Sequence, residues 1–176
     1  MSELLILVDE NDNEIGLMDK LSVHQTASLH RAFSLFIFNT KGELLLQQRA
    51  DEKYHSAGLW SNTCCSHPIH GEPMADTIHR RLEEEMGIKC DLEFKFSFIY
   101  KAELENNLTE HEFDHVYFGF SDNLPNPNPS EVKAWKYIAV PDLIRDINIH
   151  PSHYSAWLNT CLPKVSEYYD QNPPIK

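Results

Sequence analysis

The sequence predicts an α+β fold, a mixed β-sheet packed by helices within a single compact domain. Three observations carry that expectation: apolar runs arrive in hairpin-like pairs, one strongly periodic helix lies between two such pairs, and the last third turns helical. With 176 residues, the chain can bury about two-thirds of its unfolded surface around one core.

Leu4 to Val8 and Glu14 to Met18, separated by "ENDN", read as an opening hairpin. "KLSVHQTASLHR" from Lys20 to Arg31 reads as a polar loop. Ala32 to Phe38 and Glu43 to Gln48, joined by Asn39-Thr40-Lys41-Gly42, predict a second hairpin in the core sheet. Pro73 to Met86 carries Ala75, Ile78, Leu82 and Met86 at helical spacing, with Pro73 in the first turn and Gly87 as the terminator. Leu92 to Tyr100 and Phe113 to Phe120 read as strands around the loop "KAELENNLTEHE", and "DNLPNPNPSE" as an irregular connection. A strand at Val132 to Ile138, a short helix after Pro141 and an amphipathic helix from Ser152 to Tyr169, ending before "QNPPIK", complete the order.

A formal net charge of −12 repels nucleic acid and anionic lipid, and no basic patch offsets it, so neither is an expected partner. The four cysteines, at 64, 65, 90 and 161, show no framework spacing, and two adjacent cysteines do not meet disulfide geometry with ease. Reduced thiols and a cytoplasmic location follow as expectations, with a monomer as the default. The N-terminus lacks a basic region before its apolar run, and no segment approaches the ~20 apolar residues of a membrane helix.

Chemistry concentrates in a few places. His24, His30, His67, Glu110 and Glu112 are imidazoles and carboxylates suited to a borderline divalent cation such as zinc, manganese or iron. His24 and His30 read equally as solvated loop histidines. If Glu110-His111-Glu112 is extended, both carboxylates share one face; they then share a proton or cation, or they form a solvent-facing strand end. The same period of two places Cys65 and His67 of "SNTCCSHP" on one face, with Cys64 and Ser66 on the other. A cysteine beside a metal-bound or charged histidine is reactive, whereas a buried one is an inert small hydrophobe. Arg81 and Glu85, four apart on the helix, make either a simple ion pair or a diphosphate site. In the second reading Glu85 holds Mg²⁺ while Arg81, Lys20, Arg49 and Lys53 neutralise the oxyanion.

The segment from Ser66 to Ile88, "SHPIHGEPMADTIHRRLEEEMGI", resembles the Nudix box, G-x5-E-x7-R-E-U-x-E-E-x-G-U with U aliphatic. Glu72, Arg80, Leu82, Glu84, Glu85, Gly87 and Ile88 occupy pattern positions; Ser66 replaces the first glycine and Arg81 a glutamate. Nudix hydrolases use the glutamate cluster to gather Mg²⁺ ions for attack of water on a pyrophosphate linkage, so an arginine at 81 argues for gripping a diphosphate that stays intact. This degraded box, with "SNTCCSHP", a tyrosine ten residues before "EHE", and "YSAW" near the C-terminus, resembles type I isopentenyl diphosphate isomerase from about Lys20 to Trp157. The gap between His24 and His30 is one residue shorter than in bacterial members of that family.

The resemblance implies a Nudix-like fold spanning residues 1–176, with the hairpin 1–19 and the helix 152–169 as family-type additions. It implies interconversion of isopentenyl and dimethylallyl diphosphate through a carbocation, by protonation at C4 and deprotonation at C2, in isoprenoid precursor synthesis. Cys65 and Glu112 would be the proton-transferring pair, Tyr100 a hydrogen-bonding partner at the reacting centre, and Trp157 the face toward the cationic carbon. His24, His30, His67, Glu110 and Glu112 would bind one divalent metal (Mn²⁺, Zn²⁺ or Mg²⁺). Glu85 would bind the Mg²⁺ that accompanies the substrate, and Lys20, Arg49, Lys53 and Arg81 the diphosphate. A Nudix-type diphosphate hydrolase and a non-catalytic metal-stabilised domain are the alternatives.

Overall fold

The computed structural model describes residues 3–171. Its elements run β1 (Leu4–Val8), β2 (Glu14–Asp19), α1 (Lys20–Thr26), β3 (His30–Phe38), β4 (Glu43–Arg49), β5 (Trp60–Ser61) and β6 (Cys64–Ser66). Then come α2 (Met74–Met86), β7 (Leu92–Glu103), β8 (Thr109–Phe120), β9 (Val132–Ala139), α3 (Val140–Ile149) and α4 (Ala156–Gln171). The architecture is the expected α+β one. The stretch "QNPPIK", apart from Gln171, lies outside the described residues.

The central hairpin does not form as expected. β3 and β4 share one paired position, Phe38↔Leu44, and then splay apart. β3 turns to β8, its parallel neighbour from His30↔Glu112 to Phe38↔Phe120, while β4 turns to β9. The sequence shows why two partners are needed: both strands are apolar on both faces, the pattern of central rather than edge strands. On β3, Phe36 and Phe38 pack with α3 and α4, whereas Phe33, Leu35 and Ile37 pack with α2.

Residues 60–66 fill the opening between the splayed strands. β5 pairs with β4, β6 pairs antiparallel with β3, and Asn62-Thr63 crosses between them. The Thr63 hydroxyl accepts from Ile37 N at 2.9 Å and donates to Leu45 O at 2.6 Å, and Asn62 Nδ2 donates to Leu35 O at 3.1 Å. These side chains satisfy buried backbone groups that the splay would otherwise orphan. The "YSAW" stretch docks on the same wedge through a Ser155–Ser61 hydroxyl contact at 2.9 Å and Trp157 Nε1 donating to Asn62 Oδ1 at 3.0 Å.

Several expected boundaries move. Lys20 to Thr26 is a helix rather than a loop, capped by Asp19 accepting from Ser22 N at 3.1 Å; at seven residues it is too short to show a period. β7 and β8 extend through most of "KAELENNLTEHE", leaving 104–108 as the turn, so Glu110 and Glu112 sit inside a strand. Ala75 is exposed; Thr77, Ile78, Leu82, Glu85 and Met86 form the buried stripe of α2. Gly87 ends that helix with a φ of 64°, and a side chain there would also strike the Asn126 carbonyl. The last helix begins at Ala156 because Tyr154 and Ser155 bind the Trp60 backbone in extended form.

Thr63→Val keeps the shape of the side chain but orphans Ile37 N and Leu45 O. It is expected to lower the unfolding free energy by about 3 kcal/mol, within the range for stranding two buried polar groups, with Thr63→Ser close to the parent. Urea unfolding is the measurement; a loss below about 0.5 kcal/mol for the valine variant would contradict the wedge.

Candidate active site

One cavity collects most of the residues that the sequence singled out. Cys65, His67, Glu110 and Glu112 line it together with Trp157, and Lys20, Arg49, Lys53, Arg81 and Glu85 line the remainder. Cys65 comes from β6 and the two glutamates from β8, the strands that flank β3 on either side. The period of two separates the sulfurs: Cys64 is fully buried against Ile78 and Leu82 of α2, while Cys65 opens onto the cavity. Ser66 also touches the cavity, because the strand ends there.

Glu110, Glu112 and Asp114 share the inward face of β8, and all three are buried. Tyr100, on the neighbouring strand, holds its hydroxyl 2.7 Å from Glu110 Oε2 and 2.5 Å from Glu112 Oε2. Burial, and then the charge on Glu112, push Glu110 well above the usual carboxylate range. Burial would push Glu112 the same way, but its hydrogen bonds with His30 and His67 outweigh it and hold the group well below that range.

His24 and His30 are completely buried, not solvated. His24 Nδ1 lies 2.6 Å from Lys20 O and His30 Nδ1 2.9 Å from Ser28 O. A ring nitrogen facing a carbonyl carries the proton, which leaves each Nε2 as a lone-pair donor. His30 Nε2 and Glu112 Oε1 approach His67 Nε2 to 3.2 Å and 2.8 Å. One proton on His67 cannot serve both of these acceptors, whereas a divalent cation can. Burial drives His67 down to about 3, so its imidazole is in the neutral, metal-binding form.

The spacing fits as well. Ligands about 2.1 Å from an octahedral ion stand about 3.0 Å apart in cis and about 4.2 Å in trans. The donor atoms of His24, His30, His67 and Glu112 all lie within 4.8 Å of one another, and those of His24, His55 and Glu110 form a second such group. The short spacing between His24 and His30 therefore does not remove His24 from the cluster: α1 turns its ring inward, 5.2 Å from that of His30.

At the other end, Arg81 Nη2 pairs with Glu85 Oε1 at 2.5 Å, and Gln47 Nε2 donates to Glu85 Oε2 at 3.0 Å. The ion pair and the diphosphate reading thus concern the same two side chains, since both line the cavity. Lys53 pairs with Glu131. Burial lowers the affinity of Lys20 for its proton, and the charges of Lys53 and Arg81 lower it further; cations crowded in this way favour an anion between them. Arg80 instead holds Glu72 through two hydrogen bonds of 2.7 Å and 2.6 Å, on the outside of α2.

Burial pushes the Cys65 thiol well above its ordinary value; Arg49 offsets part of this and the nearby carboxylates Glu85, Glu110 and Glu112 add to it. Cys65 is accordingly a neutral thiol beside ionisable carboxylates rather than a ready thiolate.

The sequence reading passed over Tyr54, His55, Asn62, Glu131 and the buried pair Ser34–Asp114, joined by a 2.7 Å hydrogen bond. Asp114 was within reach of the same period of two that picked out Glu110 and Glu112. His55 lies in a loop, where no period exists to flag it.

The sheet of splayed central strands, with α2 and its glutamate box against one face, defines a Nudix domain; the family described as NUDIX domain matches residues 28–158. In fold the chain is similar to a Deinococcus radiodurans crystal structure, with a TM-score of 0.77 at 18% identity over 92% of this chain and 98% of the other. It is also similar to a MutT protein from Methanosarcina mazei, with a TM-score of 0.65 at 15% identity over 84% and 96%. Closer relatives separate the branches of that fold. The chain is 54% identical to isopentenyl-diphosphate Delta-isomerase 1 of Aromatoleum aromaticum over 94% of its own length and 93% of the relative. It is 46% identical to isopentenyl-diphosphate Delta-isomerase of Pectobacterium atrosepticum over 94% and 92%. The chain belongs to the isopentenyl-diphosphate Delta-isomerase family.

Converging donors of this kind predict that Zn²⁺ or Mn²⁺ added to metal-free protein raises the thermal midpoint with a 1:1 stoichiometry and that excess chelator reverses the rise. A midpoint indifferent to both ions would contradict the convergence.

Proposed function

We infer that the protein interconverts isopentenyl and dimethylallyl diphosphate, with Cys65 and Glu112 as the proton-transferring pair. The observation that carries this reading is the placement of a neutral thiol and a carboxylate on strands flanking β3, at one end of a cavity whose other end is cationic. An isolated alkene is a very weak base, so an acid and a base must be fixed on the carbon skeleton and the tertiary cation between them kept from water. One member of the pair donates at C4 and the other accepts from C2, and Tyr100 holds Glu112 in place from behind. The Trp157 indole, buried and oriented by Asn62, presents a face worth about 0.5 to 2 kcal/mol to the cation.

His24, His30, His67, Glu110 and Glu112 would hold one divalent ion, Mn²⁺, Zn²⁺ or Mg²⁺. Bound there, the ion stabilises the Glu112 carboxylate and makes its protonated form a stronger acid. Glu85 would hold the substrate's Mg²⁺, and Lys20, Arg49, Lys53 and Arg81 its diphosphate oxygens. The family match stops short of β1, β2 and α1 and of most of α4, which supports reading these as additions to the Nudix frame. Lys20 and His24 come from α1. No helix among the described residues is long and apolar enough to cross a membrane; the proposed role is in isoprenoid precursor synthesis in the cytoplasm.

Against hydrolysis stands Arg81, which occupies a glutamate position of the box and pairs with Glu85. Incubation with isopentenyl diphosphate and Mg²⁺ in deuterated water is expected to place deuterium in the product without releasing phosphate. Phosphate release without deuterium would sink the isomerase reading. Cys65→Ala is expected to lose at least about a thousandfold in turnover, on the scale of a lost general acid or base, while Cys64→Ala keeps most of it at a cost in stability. Equal loss from both would refute the facing argument.

A further inference from the structure

His55 stands against the carboxylate ladder, on the wall of the same cavity, with its Nδ1 3.2 Å from Ser56 Oγ. It is buried, and its Nε2 lies 3.5 Å from Glu110 Oε1. That is longer than an ordinary N–H···O hydrogen bond and falls between the cis and trans spacings of two ligands on one ion, about 3.0 Å and about 4.2 Å. Its ring is 5.6 Å from that of His24, and the donor atoms of His24, His55 and Glu110 lie within 4.8 Å of one another.

The loop is built to hold it there. Arg49, itself buried, donates from Nη2 to His55 O and from Nε to Ser56 O, both at 3.2 Å. Ser56 takes a left-handed φ of 51°, and its N–H is received by the Glu105 carboxylate. A non-glycine residue accepts that conformation at a cost only where its surroundings enforce it. Here the result is that the preceding imidazole points inward.

His24 belongs to both donor groups, yet its Nδ1 proton is engaged by Lys20 O, so a single lone pair remains, on Nε2. One lone pair serves one ion. The two overlapping groups therefore point to one ion rather than two, with Glu110 and His55 drawn in from the second group to complete the shell.

We propose that His55 is a sixth side-chain ligand of the divalent ion assigned above to His24, His30, His67, Glu110 and Glu112. The inference rests on that metal-site reading and extends it. Four imidazoles and two carboxylates make a nitrogen-rich shell that ranks zinc, cobalt and nickel ahead of magnesium at this position. His55 also ties the ion to the loop that carries Lys53, and so to the diphosphate end of the cavity.

The test uses the metals alone. Metal-free parent, His55→Ala, His55→Gln and His67→Ala proteins are titrated with Zn²⁺ against a chromophoric chelator, with thermal melts as a folding control. The Mn²⁺-loaded forms are examined by pulsed EPR to count coordinated imidazole nitrogens. Both His55 variants are expected to bind Zn²⁺ at least about tenfold more weakly and to lose one imidazole from the Mn²⁺ count. Parent-like affinity and count in a folded His55 variant, with loss in His67→Ala, would overturn the sixth ligand and leave the five-ligand reading standing. No loss in His67→Ala either would overturn both. If His55→Ala does not fold, His55→Gln, which keeps the bulk and a polar end, gives the answer.

Discussion

Two carboxylates buried side by side on one strand are the constraint on which this molecule turns. Glu110 and Glu112 are 3% and 6% exposed, and each buried ion costs several kcal/mol unless something nearby compensates it. Against them lie the Tyr100 hydroxyl and the imidazoles of His30 and His67, while the Arg49 charge offsets only part of the rise that burial imposes on Glu110. A divalent cation among the inward-facing lone pairs would offset that cost. The carbonyls of Lys20 and Ser28, which fix the tautomers of His24 and His30, make sense in the same terms.

That constraint reaches into the fold through the wedge. Had β3 and β4 formed a regular hairpin, no strand could have entered beside β3 to carry Cys65 and His67. The splay opens the sheet, and Asn62 and Thr63 fill its backbone hydrogen-bonding needs; the two residues after them deliver Cys64 to the hydrophobic layer and Cys65 to the cavity. Asn62 then orients Trp157 from across the molecule. One short segment thus couples sheet integrity to the positions of the thiol, the imidazole and the indole.

The fold class was legible because hydrophobic period and turn chemistry are local signals. β1, β2, α2, β9 and α3 fall close to where alternation, Pro73, Gly87 and Pro141 place them. The splay of β3 from β4 was not legible, because pairing partners are decided by competition between distant strands, and β8 lies some eighty residues away. α1 was missed for another reason: seven polar-looking residues carry too little period, and the burial of His24 depends on what packs over it. Within the site, the period of two separated Cys64 from Cys65 and put Glu110 with Glu112 on one face. The gathering of His24, His30 and His67 around them rested on residue type and on resemblance, since no spacing links those three. His55 and Ser34 had no local signature at all.

The most direct test of the central claim is anomalous diffraction from crystals loaded with Zn²⁺ or Mn²⁺. The account predicts one strong peak within coordination distance of His67 Nε2, Glu112 and His30 Nε2, with Glu110 drawn in to the same ion. A peak confined to the Glu85 end of the cavity, with His30, His67 and Glu112 still bonded only to one another, would contradict it.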